Sequence, residues 1–382
     1  MKLSSAQEDN LLSRGVSRRS FGKIASLLTA GSSLPLFSEM AYAQASRLRT
    51  PPPADAVMIN SNENPMGPCK EGLEELIKVA RDGGRYHFNL IDDLQRTLAE
   101  QEGVKNDYAR ITYGSSPPLH QSTLAFTSPT RPLVMADPSY ESAAGAARVV
   151  GAKVIRVPLT KEYAHDVRAM VAAAPDAGLF YIVNPNNPTG TLTPKADIEW
   201  LVANKPKGSI VMVDEAYTHI SDAPFNSDLV AADKDVILLR TFSKIYGVAG
   251  LRAGAIIARP DLIEKQGTFS SSGMMPTTAM ACANTSLKLK NLVPERRKII
   301  ADIRNSTFDY LSKNNFHYVP SVSNCFMVDT KRPGNEIVTA MRNEKVIIGR
   351  TWPAWPTHVR VTVGTKEEME KFKAAFSKVM NA

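Results

Sequence analysis

Three short polar clusters in the chain carry residue types that can do chemistry. Asn184-Pro185-Asn186-Asn187-Pro188-Thr189-Gly190 is too rigid and polar for an ordinary connection. Asp214-Glu215-Ala216-Tyr217 sets a carboxylate at the end of an apolar run and a phenol three residues later. Thr241-Phe242-Ser243-Lys244 places two hydroxyls beside a lysine, with Arg252 eight residues further on. A lysine amine becomes an effective nucleophile when desolvation or a nearby cation lowers its pKa. Singly, each cluster has an ordinary explanation, such as a proline turn or a solvated lysine. Together they define a site if the fold brings them to one place.

An apolar, β-branched run precedes each cluster. Strands are expected over 110–113, 133–136, 153–157, 179–183, 210–213, 236–240 and 253–258, with helical patterns between them. Their apolar residues are continuous rather than alternating, as in a sheet covered on both faces. Strands alternating with helices indicate a mostly parallel α/β sheet. In such sheets ligands bind beyond the carboxyl ends of the strands, where all three clusters fall. Leu73, Leu76, Ile77 and Ala80 recur at helical spacing, as do Leu90, Leu94 and Leu98, with Gly103 as the stop. From 276 to about 314 the pattern is helical and more charged. A smaller α+β section follows, with strands near 325–329 and 359–363 and a final helix from Lys366.

Composition narrows the classes. Of 382 residues, 43% are hydrophobic and 22% charged, which excludes a wholly disordered chain and a polytopic membrane protein. Cys69, Cys282 and Cys325 are too few, and odd in number, for a disulfide framework. No metal site is expected. The net charge of +8 suits an anionic small molecule as well as a polyanion. The basic stretch 288–298 reads as a solvated helix face, so no nucleic-acid partner is expected. G-x-S-x-G, Walker A and H-E-x-x-H motifs are absent.

The first residues read as an address. Ser17-Arg18-Arg19-Ser20-Phe21-Gly22-Lys23 is followed by a short apolar run, 24–37, and then Ala41-Tyr42-Ala43. This is the plan of an export signal, and the paired arginines are similar to a twin-arginine leader. The run is too short for a spanning helix. Residues 1–43 are expected to be cleaved, leaving a periplasmic or secreted chain from Gln44 with no stable membrane insertion. Residues 44–56, with Pro51, Pro52 and Pro53, form an extended linker.

Taken in order and spacing, Asn184–Gly190, Asp214–Tyr217 and Thr241-Phe242-Ser243-Lys244-Ile245-Tyr246-Gly247-Val248-Ala249-Gly250-Leu251-Arg252 resemble the class I/II aminotransferases of pyridoxal-phosphate fold type I. The branch they resemble is that of histidinol-phosphate aminotransferase. Asn62-Glu63-Asn64-Pro65-Met66-Gly67 and Arg360-Val361-Thr362-Val363-Gly364-Thr365 extend the resemblance over nearly all of 57–380. It implies pyridoxal 5'-phosphate as cofactor and Lys244 as the residue forming a Schiff base with it. It further implies that Asp214 pairs with the pyridine nitrogen and that Asn187 and Tyr217 bond the ring hydroxyl. Tyr140 would stack on the ring. Thr241, Ser243 and Arg252 would hold the phosphate, with the Gly114-Ser115-Ser116 turn at a helix N-terminus. Tyr86 matches a tyrosine reaching into the neighbouring subunit, which implies a homodimer with shared sites. Arg360, joined by Arg350 and Asn62, would receive the substrate. The loop 350–356, with Trp352 and Trp355, would line its side chain.

Two departures stand out. Pro117 and Pro118 occupy positions that are usually acidic in the family, and Tyr86-His87-Phe88 replaces Tyr-Pro-Asp. The resemblance implies a segment 57–74 packing with a small C-terminal α+β domain, 286–382, and a large cofactor domain, 75–285. The expected function is transamination between an amino acid, or related amine, and a 2-oxo acid outside the cytoplasm. A lyase similar to threonine-phosphate decarboxylase and a catalytically silent cofactor-binding protein are the alternatives.

Overall fold

The computed structural model describes residues 51–270 and 273–382. The expected leader, its cleavage site and the first part of the linker lie outside the described residues. The main sheet has seven strands: β2 (Ala109–Thr112), β3 (Leu133–Asp137), β4 (Val154–Pro158), β5 (Leu179–Val183), β6 (Ile210–Asp214), β7 (Val236–Thr241) and β8 (Gly254–Ala258). Its order is β2-β8-β7-β6-β5-β3-β4. Only β8 runs against its neighbours. The chain therefore has the α/β architecture of fold type I, and the expected strands match the observed ones to within a residue or two.

The continuous apolar runs follow from helices on both faces. Leu179, Tyr181, Val183, Met212 and Leu239 pack into one core. Phe180, Ile182, Val211, Val213 and Leu238 pack into another on the opposite face. Successive side chains of a strand point to opposite sides, so a strand with two dry faces needs apolar residues at every position. Both polar ends of this pattern, Asp214 and Thr241, lie at the carboxyl edge of the sheet.

Before the main sheet comes β1 (Val57–Ile59), which pairs in parallel with the distant β11 (Val346–Ile348). A separate antiparallel sheet of order β12-β10-β9 is formed by β9 (His317–Tyr318), β10 (Cys325–Asp329) and β12 (His358–Thr362). The expected divides at 74/75 and 285/286 fall inside helices Lys70–Ala80 and Thr277–Lys288, which pack on each other. Helix Phe88–Glu102 ends at Gly103 in the left-handed conformation that glycine favours. The helical stretch read as continuous from 276 is broken after Lys288 and resumes as Leu292–Lys313.

One departure from the family pattern is accommodated in the fold, and one reading changes. Pro117 and Pro118 cost helix Ser116–Phe126 nothing, because its first backbone bond runs from Leu119 N–H to the Ser115 carbonyl. First-turn N–H groups have no intrahelical partner to lose. The basic stretch 288–298 is not wholly solvated. Arg296 is buried and its Nη1 donates to the Ile245 carbonyl, 3.0 Å away. That carbonyl, next to Lys244, needs a donor in a place water does not reach.

At the sheet edge, β2 and β7 flank the start of β8, with Thr112 and Thr241 both opposite Gly254. A Cβ at Gly254 would stand 2.6 Å from Gly114 Cα. Gly254→Ala is therefore expected to lower stability by ~1–3 kcal/mol through overpacking. Urea denaturation measures this, and an unchanged midpoint would contradict the close approach.

Candidate active site

The carboxyl edge of the sheet gathers the polar clusters as the strand pattern requires. Asp214, the last residue of β6, is buried. Its Oδ2 accepts from Tyr181 Oη at 2.9 Å and its Oδ1 from the Ala216 amide at 3.2 Å. Tyr181 lies two positions before the residue of β5 that pairs with Asp214, so the two side chains share a face. Burial raises the Asp214 pKa from 3.8 to about 6, and the Tyr181 hydrogen bond opposes the rise. Burial, with the Asp214 carboxylate and the nearby Tyr140 and Tyr217, holds the Tyr181 phenol well above its usual range. Tyr140 and Tyr217 thus belong to the same cluster.

Next to it stands Lys244. Its Nζ donates to the Asn62 carbonyl at 2.8 Å and lies 5.5 Å from the centroid of the Tyr217 ring. The lysine's own carbonyl and that of Ile245 accept from Asn64 Nδ2 at 2.9 and 3.1 Å. Asn62 has a left-handed backbone, φ 52°, and is fully buried. Its amide donates to Thr362 Oγ1 at 2.9 Å, its Oδ1 accepts from that hydroxyl at 3.0 Å, and its Nδ2 donates to Tyr217 Oη at 3.0 Å.

A second group of donors lies at the end of β7. Thr241 Oγ1 donates to Ser243 Oγ at 2.9 Å, and Arg252 Nη1 reaches Ser243 Oγ at 3.5 Å. Arg252 Nη2 donates to the Tyr113 carbonyl at 3.4 Å, just before Gly114. A Cβ at Gly114, φ 82°, would meet that Nη2 at 2.6 Å. Ser115 caps helix Ser116–Phe126 without spending its hydroxyl on the cap. A guanidinium, hydroxyls and a helix N-terminus therefore converge, a donor set suited to a phosphate.

The third group faces the small sheet. Asn187 Oδ1 accepts from Arg360 Nη1 at 3.0 Å, and the Asn60 carbonyl accepts from Arg360 Nη2 at 2.5 Å. Arg360 is fully buried, and its guanidinium lies 5.5 Å from the Trp352 ring centroid. Trp352 Nε1 donates to the Ser139 carbonyl at 3.1 Å. Arg350 lies 3.8 Å from the same ring and its Nη2 pairs with Glu141 Oε2 at 2.5 Å.

Of the residues expected from sequence, Tyr86 is the one set apart. It is 70% exposed and its ring packs on Phe88, itself 65% exposed. Sequence reasoning missed Tyr181, Ser139 and Glu141, and it gave Asn186 no role of its own within the polar loop it singled out. Asn186 holds the polar loop together: its Oδ1 accepts from Ser139 Oγ and its Nδ2 donates to the Pro138 carbonyl. For Asn186 the signal was its place in that loop; for Tyr181 it was a hydroxyl-bearing side chain inside an otherwise apolar strand.

A lysine amine, a buried carboxylate and a phosphate-type donor set at the edge of this sheet define a pyridoxal-phosphate-dependent enzyme of fold type I. The residues fit that cofactor: the Asp214 carboxylate is hydrogen-bonded by neutral donors, and the Thr241, Ser243 and Arg252 side chains cluster by the glycine turn. The family model for aminotransferase class I and II matches residues 54–376, and the chain belongs to that family. It is similar to the histidinol-phosphate aminotransferase of Moorella thermoacetica, 31% identical over 339 residues, 85% of this chain and 86% of that one. It is also similar to an aromatic amino acid aminotransferase of Cutibacterium acnes, 29% identical over 335 residues, 85% and 93% of the two chains. The crystal structure of histidinol-phosphate aminotransferase from Sinorhizobium meliloti in complex with pyridoxal-5'-phosphate shares the fold. Its TM-score is 0.79 at 24% identity, covering 85% of this chain and 90% of that one.

Burial of Asp214 has a consequence for cofactor-free protein. A carboxylate whose folded pKa exceeds its unfolded value favours the folded state only while protonated. Its contribution is complete below about pH 4 and is lost as pH rises through about 6. Asp214→Asn escapes that loss. In cofactor-free protein the variant is expected to match the wild type near pH 4 and to exceed it by ~1–3 kcal/mol above pH 6. Urea titrations across this range measure the difference. A constant offset at every pH would contradict the assignment.

Proposed function

We propose that this aminotransferase moves the amino group of an amino acid with an aromatic or other neutral side chain to a 2-oxo acid. One observation carries the reading. The Arg360 guanidinium, 5.5 Å from the Trp352 ring centroid, bonds the Asn60 carbonyl in the same Asn60–Asn62 segment that receives the Lys244 amine. A cation for a carboxylate, an aromatic wall for a side chain and a basic nitrogen thus stand together. The similarity to histidinol-phosphate and aromatic amino acid aminotransferases supports a ring-bearing substrate.

In this reading Arg252, Thr241, Ser243, Ser115 and Ser116 hold the cofactor phosphate. Asp214 pairs with the ring nitrogen, Asn187 and Tyr217 with the ring hydroxyl, and Tyr140 covers the ring. The bound cofactor supplies an electron sink that acidifies the Cα–H of the attached amine. Lys244 Nζ takes that Cα proton and later returns it, a positioned transfer worth ~10²–10⁴-fold in rate. Asp214, ionised opposite a protonated nitrogen, keeps that nitrogen protonated. Arg360 binds the α-carboxylate with its fork of donors and fixes the orientation of the Cα–H bond. Asn62 carries the carbonyl that Lys244 contacts, so it positions the base. The exposed Tyr86 and Phe88 fit a homodimer in which Tyr86 enters the neighbouring site. Neither the lyase nor the silent-binder alternative has an observation in its favour.

Lys244→Ala is expected to drop turnover below about a thousandth of wild type. The assay is a donor-by-acceptor screen with purified protein and added pyridoxal phosphate, followed by oxo-acid formation and visible absorption. Wild-type-like turnover in that variant would overturn the role of Lys244 as the base, and carbon dioxide release without an oxo acid would restore the lyase reading.

Export stands as a separate proposal on the Arg18-Arg19 leader. Replacing both arginines by lysine is expected to trap the protein in the cytoplasm. N-terminal sequencing of the exported wild type is expected to begin at Gln44, and an intact Met1 there would refute cleavage.

A further inference from the structure

Tyr181 lies inside β5, two positions before Val183, the residue of that strand that pairs with Asp214. It is fully buried and packs in one core with Leu179, Val183, Met212 and Leu239. A strand rises ~3.3 Å per residue, so a phenol is long enough to cover the two-residue step to Asp214, and its hydroxyl meets Asp214 Oδ2 at 2.9 Å. Serine or threonine would fall short, and phenylalanine would fill the same volume without the donor. The other bond to this carboxylate comes from the Ala216 amide, 3.2 Å from Oδ1. Lys244, in the loop after β7, and Arg240, within β7, favour the charged form from further away. Arg240 is itself bonded by Glu102 and Glu215. Tyr140 and Tyr217 stand near Tyr181. Burial pushes the Asp214 carboxyl up to about 6, and the Tyr181 bond is the largest influence opposing that rise.

We propose that Tyr181 is a positioning residue of the cofactor site, holding Asp214 charged and aimed for the cofactor's ring nitrogen. The inference rests on the assignment of Asp214 to that nitrogen. A hydrogen bond to a charged group is stronger than one to its neutral form, so the phenol favours carboxylate over carboxylic acid. It does so without bringing a charge that would compete with the ring nitrogen. Protein whose Asp214 is protonated before the cofactor arrives has no anion to offer and must first give up a proton. The consequence is a lower pH limit of cofactor retention, set by a residue that acts through Asp214.

The test compares the wild type with Tyr181→Phe, which keeps the ring and removes the donor. Pyridoxal phosphate is titrated into cofactor-free protein across the range from about pH 5 to about pH 9, followed by visible absorption. Wild-type affinity is expected to fall below about pH 6. In the variant the fall is expected to begin about 1–2 pH units higher. Near pH 6 the variant then binds about five- to fiftyfold more weakly, and near pH 9 it matches the wild type. Titration of Lys244 and of the phosphate is common to both proteins and cancels in the comparison. Infrared titration of the protonated-carboxyl band in cofactor-free protein, with Asp214→Asn as the blank, is expected to show the same displacement. Adding Tyr181→Phe to Asp214→Asn is expected to leave cofactor affinity unchanged. Site-specific fluorotyrosine at position 181, a stronger donor, is expected to displace the fall downward, and serves if the phenylalanine variant does not fold. A loss of affinity equal at every pH, an unmoved carboxyl band, or a further loss in the asparagine background would each overturn the inference. If Asp214→Asn binds the cofactor as the wild type does at every pH, the assignment of Asp214 fails and the inference with it. If Asp214→Asn is impaired and Tyr181→Phe keeps the wild-type pH dependence, only the role of Tyr181 fails.

Discussion

The amine of Lys244 rests on the carbonyl of Asn62, and most of the site depends on how that carbonyl is held. Asn62 sits in the left-handed region, which costs a non-glycine residue roughly 1 kcal/mol and which asparagine tolerates better than most. The turn is kept by a reciprocal pair of bonds with Thr362 on β12, by Tyr217 after β6, and by Asn324 Nδ2, which donates to the same carbonyl at 3.2 Å. One buried asparagine therefore fastens the N-terminal segment, the main sheet and the small sheet to a single point. The position of the Lys244 amine follows from the relative placement of the two sheets rather than from its own loop alone.

The loop that carries Lys244 is secured from behind by the same logic. Its carbonyls have no strand partner; Asn64 and Arg296 supply side-chain donors, and the Gly247 amide adds a backbone one to the Lys244 carbonyl. Beneath the strand ends, Arg240 is buried with Glu102 and Glu215 and bonds both. Buried ion pairs add little net stability, because desolvation offsets attraction, but removing one member leaves a stranded charge. Here the pairing has a positional effect. Glu215 is committed to Arg240 and Asn226, so the adjacent Asp214 is left to face the opposite side, toward Tyr181 and the site.

The main sheet was legible in the sequence because a strand covered on both faces must be apolar throughout, and runs such as 179–183 and 236–240 show little else. The clusters at the strand ends were legible because polar residues that interrupt such runs have to be accounted for. What stayed hidden depends on contacts between positions far apart in the chain. The Asn62–Thr362 pair spans 300 residues and Glu141–Arg350 spans 209. Arg296 looked like one more cation on a charged helix, since nothing local distinguishes it from Arg297 or Lys298. Tyr181 was hidden differently: inside an apolar strand a tyrosine passes for bulk, and only the register with β6 gives its hydroxyl a purpose.

Carboxylates near the strand ends divide by partner, and the division bears on mechanism. Glu141 and Glu215 each lie against a guanidinium, whereas the hydrogen bonds to Asp214 come from a phenol and a backbone amide. A buried carboxylate bonded only by neutral donors holds its charge at a cost, which is why its pKa climbs to about 6. Such a group gains most from a cation that arrives with a ligand, because the desolvation it suffers has already been met by folding. Replacing Tyr181 with a cationic residue would satisfy Asp214 within the chain and remove that gain. The neutral shell around Asp214 is thus as much a part of the site as the carboxylate itself, and it accounts for a tyrosine at this point in an otherwise apolar strand interior.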